Sequence, residues 1–469
     1  MKLNSLNTKS INVRLKMPTN IVVIGMGYVG IPMAVLLADV DDFYVTGIQR
    51  RSQRSGWKID WLNQGKNPFE GEEPGLDELI ARVVKNGKFK VTDKYDDVDN
   101  ADFVLIDVQT PVDDDRIPRY ESLQEVSQKV SKHLKKGVTI ILESTVAPGT
   151  TDNIVKAILE EGSGFKRCQE FYLVFSFERV MPGKMLEYIT DFPRVIGGGC
   201  IKANNRAKFL YEKVVKKEIQ VTDTLTSELT KCIENAYRDV NIAFANEMAL
   251  LCEDFNRNIY EIVELINQRH DRMMHYPGSG VGGHCLTKDP WLLLHGFEKY
   301  TNKKNKEKLK LIPNSRELND FMPYHMVELM EDVFRETHKL VDNIKVVLLG
   351  VSYKADTDDT RNTPTENIIK VLQGRYHSHN IIYMAHDPYV NKRDYRLTSL
   401  TSDFNEAISD ADVLIFATNH TEYYNIDLDD LRKKVRTPII IDGRNIFDKK
   451  LVEEKGFIYR KVGEGPGKP

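Results

Sequence analysis

Cys285 lies in the run Tyr276-Pro-Gly-Ser-Gly-Val-Gly-Gly-His-Cys-Leu-Thr-Lys-Asp-Pro290. Gly278, Gly280, Gly282 and Gly283 precede the thiol, and Gly296 follows a little beyond Pro290. Glycine tolerates positive φ and lets another backbone or a ligand come close. A cysteine presented in this way is placed to meet a substrate, and a thiolate is a strong nucleophile. Asp289 follows four residues later, where a carboxylate can move a proton on the same reacting group. The competing reading is a Gly-rich loop that holds an ordinary structural cysteine. The rest of the chain decides between them.

A second set of residues points to a nucleotide. Gly25-Met-Gly-Tyr-Val-Gly30 stands between the apolar, β-branched run Asn20–Ile24 and a helical stretch, Ile31–Ala38. The spacing Gly25-x-Gly27-x-x-Gly30 permits a tight turn, close approach of a pyrophosphate and a helix N-terminus aimed at it. Tyr28 and Val29 belong to the same cofactor-binding turn. After the second strand, Phe43–Ile48, such folds usually carry an acidic residue for the ribose hydroxyls. Here the sequence is Gln49-Arg-Arg-Ser52. Gln49 can still bond a hydroxyl, whereas Arg50 and Arg51 suit the additional phosphate of NADP. Thr110, in Gln109-Thr-Pro-Val-Asp113, and Ser144-Thr145 follow later strands. Strand C-termini are where ligands sit in such sheets.

These residues need elements to hold them. Short unalternated apolar runs at 101–108, 138–142, 171–175 and 194–196 read as buried strands, with helical stretches between some of them. From Ser227 to Asn267 there is neither glycine nor proline. Leu229, Cys232, Ile233, Ala236, Val240, Ala243, Phe244, Met248, Leu251 and Cys252 recur at helical steps there, which predicts one long amphipathic helix of roughly 25 residues or more. Lys231 and Asn235, four apart, share one face of it. Ile344–Val351 opens a second strand-turn-helix series with strands at 380–384, 411–417 and 438–442. The expected fold is α/β, two Rossmann-like doubly wound lobes joined by a central helical domain with one long helix. The expected organisation is a disordered tail at 1–18, a dinucleotide-binding domain at 19–220, a helical dimerisation domain at 221–325 carrying the cysteine loop, and a second Rossmann-like domain at 326–460. The end of the chain from Gly463 reads as a loose tail.

Composition narrows the functional classes. A formal charge of -3 over 469 residues suggests neither nucleic acid nor a membrane surface as a partner. No stretch approaches the ~20 apolar residues of a membrane span. The first seventeen residues lack the apolar core of a signal peptide. The cysteines, at 168, 200, 232, 252 and 285, are scattered and form no CxxC pair. That argues against a disulfide framework and a structural metal site, and suits a reducing cytoplasm.

Taken together, the motifs resemble the nucleotide-sugar 6-dehydrogenase family, the UDP-glucose/GDP-mannose dehydrogenases. The resemblance covers about residues 20–450 and rests on motifs in order. These are Gly25–Gly30, Gln109-Thr-Pro111, Ser144-Thr145 with Pro148-Gly-Thr150, Glu178-Arg179 with Pro182-Gly183, and Lys231 with Asn235. Further on come Gly282-Gly-His-Cys285 with Asp289, and Leu349–Asp356 with Asp359-Thr-Arg361. The resemblance implies NAD-dependent, four-electron oxidation of a sugar C6 alcohol to the acid, through a thiohemiacetal and a thioester on Cys285. By the same resemblance Lys231 stabilises the developing oxyanion with Asn235 beside it. Asp289 and Thr145 manage water and protons, and Glu178 assists thioester hydrolysis. Arg179, Gly282 and Lys354 fall at substrate-binding positions and Arg361 near the cofactor. Arg269 or Arg272 reaches the sugar nucleotide of a partner subunit. The resemblance also implies a homodimer or higher oligomer built on the long helix.

The residues around Glu178 bear on which sugar is oxidised. The UDP-glucose branch usually carries an acidic residue four positions after this glutamate, where this chain has Pro182. Glu178-Arg-Val-Met-Pro-Gly183 and Gly280-Val-Gly-Gly-His-Cys285 resemble the N-acetylhexosamine branch instead. Phe177 stands where the family commonly has proline. The expected substrate is UDP-N-acetylmannosamine or UDP-N-acetylglucosamine, with UDP-glucose as the alternative and a non-catalytic nucleotide-sugar regulator as the reading from another class.

Overall fold

The computed structural model describes residues 18–465 except 54, 70, 340, 341 and 392–394. The expected tail at 1–18 lies outside the described residues apart from Pro18. The chain divides into two compact units. One holds the chain up to Phe69, Glu73–Ile233 and Trp291–Lys303; the other holds Glu70–Glu72, Glu234–Pro290 and the chain from Lys304 onward.

The first unit is built on β1 (Thr19–Ile24), β2 (Phe43–Ile48), β3 (Phe89–Thr92), β4 (Phe103–Ile106), β5 (Thr139–Leu142), β6 (Tyr172–Phe175), β7 (Arg194–Gly198) and β8 (Ile219–Thr222). Their order in the sheet is β3-β2-β1-β4-β5-β6-β7-β8. β4, β5 and β6 are buried at every residue, which is why they read as continuous apolar runs rather than alternating ones. The order reverses direction at β1, so β1 and β4 flank the crevice where doubly wound sheets take ligands. The sheet is parallel except at one end. β7 runs antiparallel to β6, with Val174 opposite Gly198, and β8 follows β7 in parallel.

That reversal also corrects the reading of the cysteines. Cys168 precedes β6 and Cys200 follows β7, and antiparallel pairing brings those two ends together. Their Cα atoms are 6.3 Å apart and their sulfurs are bonded. Cys232, Cys252 and Cys285 remain thiols.

The long helix is Thr224–Asp254. Its residues through Ile233 belong to the first unit and those from Glu234 to the second. The long helix of roughly 25 residues or more is present, and the helical stretch that reaches Asn267 holds a break after it. Asn256 takes a positive φ of 55°, and a new helix, Ile259–Asn267, starts where the Asn258 side chain accepts a hydrogen bond from the Tyr260 N–H. Asparagine enters the left-handed region more readily than most residues and caps helices well, so it can end one helix and start another without glycine or proline.

The second unit carries β9 (Ile344–Leu349), β10 (Ile381–His386), β11 (Ser399–Thr401), β12 (Val413–Phe416), β13 (Ile439–Asp442) and β14 (Ile458–Lys461). They form a parallel sheet in the order β11-β10-β9-β12-β13-β14. A second long helix, Leu311–Thr337, with Pro323 inside it, packs Met322, Met326, Met330 and Val333 into the same core as Val346 and Leu348. The loose tail expected from Gly463 is corrected for its described part. The Gly463 carbonyl accepts from the Ile259 N–H at 2.8 Å, and the Gly463 N–H donates to Glu253 at 2.6 Å.

Candidate active site

In the first unit β1 ends at Ile24 and the chain turns through Gly25-Met-Gly27 into the helix Gly30–Ala38. Gly25 has φ +109°, and a Cβ there would stand 2.2 Å from the Asp107 carbonyl oxygen. A Cβ on Gly30 would stand 1.9 Å from the Gly25 carbonyl oxygen. Only glycine fits either position. A Cβ on Gly27 would meet nothing within 4 Å. The middle glycine thus faces open space at the start of a helix, which suits a pyrophosphate. Tyr28 stacks on Phe69 at 4.5 Å, and Val29 starts the helix by accepting from the Met33 N–H. Gln49 follows β2 directly, and its Oε1 accepts from the Met26 N–H at 3.0 Å. The residues present fit a dinucleotide.

The ends of β4 and β5 meet beside this turn. The Thr110 hydroxyl donates to the Thr145 carbonyl at 2.6 Å. The Ser144 hydroxyl donates to the carbonyls of Ile106 and Val108 at 3.1 and 2.8 Å. Below them the Arg194 guanidinium is fully enclosed. It pairs with Glu143 and donates to the Ser176 carbonyl and the Tyr211 hydroxyl, each at 3.0 Å. Asp107, at the tip of β4, was not singled out by sequence. Its Oδ2 is buried without a hydrogen-bond partner. Burial pushes its carboxyl up to about 8, Arg194 pulls the other way, and Glu178 adds to the rise.

Glu178 and Lys231 are both buried. The Lys231 ammonium donates to the Glu178 carbonyl at 2.7 Å and lies 3.6 Å from its carboxylate. The Phe177 ring lies 5.5 Å from the same ammonium. The Glu178 carboxylate also accepts from the Val180 N–H. Arg179 donates to the Pro193 carbonyl and lies over the Phe177 ring at 5.0 Å.

In the second unit the cysteine loop is folded onto the segment after β9. Gly283 has φ +87°, and a Cβ there would press on the Tyr353 ring at 2.9 Å. A Cβ on Gly282 would meet the Tyr353 Cβ at 2.5 Å. The Gly283 N–H donates to the Arg361 carbonyl at 2.9 Å, and the Asn362 amide donates back to the Gly283 carbonyl at 3.1 Å. The Arg361 guanidinium is paired with Asp359, its Nε 2.8 Å from Oδ1. The Lys354 carbonyl accepts from the hydroxyls of Ser352 and Thr357, at 2.9 Å each.

The Cys285 carbonyl accepts from the N–H groups of Lys288 and Asp289, at 3.1 and 2.9 Å, which makes the turn that leads into the helix Asp289–Tyr300. Cys285 is half-buried. Both carboxylate oxygens of Asp289 have donors. Lys288 reaches Oδ1 at 2.7 Å and the Asn235 amide reaches Oδ2 at 2.5 Å. Lys288 is buried and was missed by sequence, where a lysine in a loop reads as a solvated charge. Burial pushes the His284 imidazole down to about 3, with Lys288 and Arg361 adding to the shift, so the ring is neutral at neutral pH. Arg269 and Arg272 are exposed and both pair with Asp271, at 3.1 and 2.9 Å. Among the described residues no hydrogen bond or ion pair ties either to the cysteine loop. No group of three or more histidine, cysteine or acidic side chains able to hold a metal occurs among the described residues.

Three family models match the chain in succession. They are the NAD binding domain at residues 19–215, the central domain at 225–320 and the UDP binding domain at 347–449 of the UDP-glucose/GDP-mannose dehydrogenase family. The fold and these domains define an oxidoreductase that acts on a nucleotide sugar with a nicotinamide cofactor. A UDP-N-acetyl-D-mannosamine dehydrogenase of Pyrococcus horikoshii is 35% identical over 95% of this chain and 99% of its own. A solved structure of UDP-D-ManNAc dehydrogenase from the same organism matches with a TM-score of 0.86 at 34% identity, over 96% of this chain and all of that one. That of an NDP-N-acetyl-D-galactosaminuronic acid dehydrogenase from Methanosarcina mazei matches with a TM-score of 0.83 at 36% identity, over 96% of each. The chain belongs to the UDP-glucose/GDP-mannose dehydrogenase family.

Proposed function

We propose that this chain oxidises the C6 alcohol of UDP-N-acetyl-D-mannosamine to the carboxylate, with NAD as acceptor and Cys285 as nucleophile. The observation that carries the chemistry is the Cys285 turn, closed by the Asp289 N–H, with the Asp289 carboxylate held by Asn235 and Lys288. The relatives at 30–35% identity over most of the chain support the sugar.

A nicotinamide held at the Gly25–Gly30 turn would supply the hydride acceptor, with a second oxidised cofactor replacing the reduced one before the second oxidation. In the first, the C6 alcohol loses a proton and a hydride and becomes an aldehyde. The Cys285 thiolate adds to the aldehyde carbon, because a carbonyl cannot yield hydride until it is tetrahedral. Loss of a second hydride from that carbon leaves a thioester. Water then adds, the thiolate departs and the acid is released. Lys231 offsets negative charge on the reacting oxygen, an effect of a few kcal/mol in such sites, with Asn235 one helical turn away. Asp289 and Thr145 hold and deprotonate the water, and Glu178 assists its attack. Gly25, Gly27, Tyr28, Val29, Gly30, Gln49, Arg50, Thr110 and Arg361 serve the cofactor. Arg179, Gly282, Lys354 and one of Arg269 and Arg272 serve the sugar nucleotide. The domain boundaries 19–220, 221–325 and 326–460 are proposed with these roles. So is a cytoplasmic location; no described helix is long and apolar enough to cross a membrane.

The test is to count reduced cofactor formed per sugar with UDP-N-acetylmannosamine, UDP-N-acetylglucosamine, UDP-N-acetylgalactosamine and UDP-glucose in parallel. Two equivalents with the first sugar, and little turnover of the others, are expected. Turnover of UDP-glucose alone would overturn the sugar, and one equivalent per sugar would overturn the thioester route.

A further inference from the structure

We infer that the adenosine end of the dinucleotide site accepts a 2′-phosphate, so that NADP is taken as well as NAD, with Arg50 and the Ser52–Ser55 hydroxyl pair as the phosphate ligands. The inference rests on the dinucleotide reading of the Gly25–Gly30 turn.

An enzyme that excludes NADP places a carboxylate after the second strand, which accepts from the ribose hydroxyl and repels a phosphate. The residue there is Gln49. Its side chain keeps the position such a carboxylate would hold, since Oε1 accepts from the Met26 N–H in the turn, but it carries no charge. Its amide nitrogen donates to the Ser55 hydroxyl at 2.9 Å. The Ser55 and Ser52 hydroxyls are 3.0 Å apart, and the Ser55 N–H donates to the Ser52 hydroxyl at 3.2 Å. Gln49, Ser52 and Ser55 are therefore one hydrogen-bonded cluster at the ribose position. Ser52 and Ser55 are both half-buried.

The two arginines after Gln49 are distinguished by the structure. Arg51 is engaged by Asp93 at 3.3 Å and Asp60 at 3.8 Å. Arg50 is exposed and makes no ion pair within 4 Å among the described residues. The acidic group that feels its charge, Glu125, is itself bonded by Lys129 at 2.7 Å. From Gln49 to Lys58 the sequence carries Arg50, Arg51, Arg54 and Lys58 and no carboxylate. A phosphate dianion beside the ribose would meet a guanidinium and hydroxyl donors, with no acid between Gln49 and Lys58 to repel it.

Binding of fragments separates this inference from catalysis. The full-length protein is titrated calorimetrically with ADP-ribose and with 2′-phospho-ADP-ribose, without sugar. The phosphorylated fragment is expected to bind at least as tightly as the plain one. Arg50→Gln is expected to weaken the phosphorylated fragment about tenfold more than the plain one, the loss of a charge-assisted hydrogen bond. Gln49→Asp is expected to turn the preference toward the plain fragment. Binding of ADP-ribose with rejection of its 2′-phosphate form, or equal weakening of both by Arg50→Gln, would overturn the inference and leave the dinucleotide reading standing. Failure of both fragments to bind would overturn the dinucleotide reading and this inference with it.

Discussion

Cys285 and Asp107 show how differently two side chains can be served by their surroundings. The proposed nucleophile stands half-exposed at the end of a glycine-rich loop, where a reacting carbon can reach it. Cys285→Ser is expected to lower complete oxidation by about a thousandfold or more, because a hydroxyl is a far weaker nucleophile than a thiolate. Product analysis by mass checks this, and undiminished formation of the acid would place the nucleophile elsewhere. Asp107 is half-buried, with its Oδ2 buried and without a hydrogen-bond partner, and burial raises its carboxyl to about 8. An unfolded aspartate ionises near its ordinary value of 3.8. Between those values the unfolded chain gives up a proton that the folded chain retains, so stability falls as pH rises through that window and levels off above it. Asp107→Asn removes this loss. The melting temperature of the variant relative to the parent is expected to climb from pH 5 to pH 8.5. A pH-independent difference would show that Asp107 ionises normally. Cys285 was legible from its local run. Asp107 was not, because the run 101–108 reads as a buried strand but does not say which residues distant in sequence surround the carboxylate at its end.

At the scale of elements, the glycine spacings and β-branched runs carried most of the information. β1, β2, β5, β9 and β13 fall within a residue or two of the expected runs, since a strand buried on both faces needs an unbroken apolar stretch. Helix ends were less legible. The periodicity of 227–267 continues through a break that depends on Asn256 and Asn258. Asn258→Ala is expected to destabilise the second unit by about 1 kcal/mol through loss of the cap. Denaturant unfolding checks this, and an unchanged midpoint would show that packing alone starts the helix Ile259–Asn267. The reversal between β6 and β7 had no sequence signal either, and the Cys168–Cys200 bond follows from it.

For the whole molecule, the long helix presents a stripe of apolar residues left exposed among the described residues. Ile233, Tyr237, Phe244 and Leu251 are 51%, 69%, 52% and 45% exposed, at four- and seven-residue steps that line one face. We propose that this stripe meets a second copy of the chain. Light scattering is expected to give at least a dimer for the parent and a smaller species for Tyr237→Glu with Phe244→Glu; a monomeric parent would remove the proposal. The sequence alone determined the two nucleotide-fold sheets, the position of the dinucleotide turn and the thiol with its neighbouring acid. These depend on contacts within a few residues, where glycine spacing and apolar runs leave a direct mark. Tertiary structure alone decided that Lys288 is buried against Asp289, that Arg51 is engaged while Arg50 is left open, that one oxygen of Asp107 is buried without a partner, and that Cys168 meets Cys200. Each depends on which side chains and strands from elsewhere in the chain arrive beside it, and burial and pairing are properties of that arrival rather than of the residue.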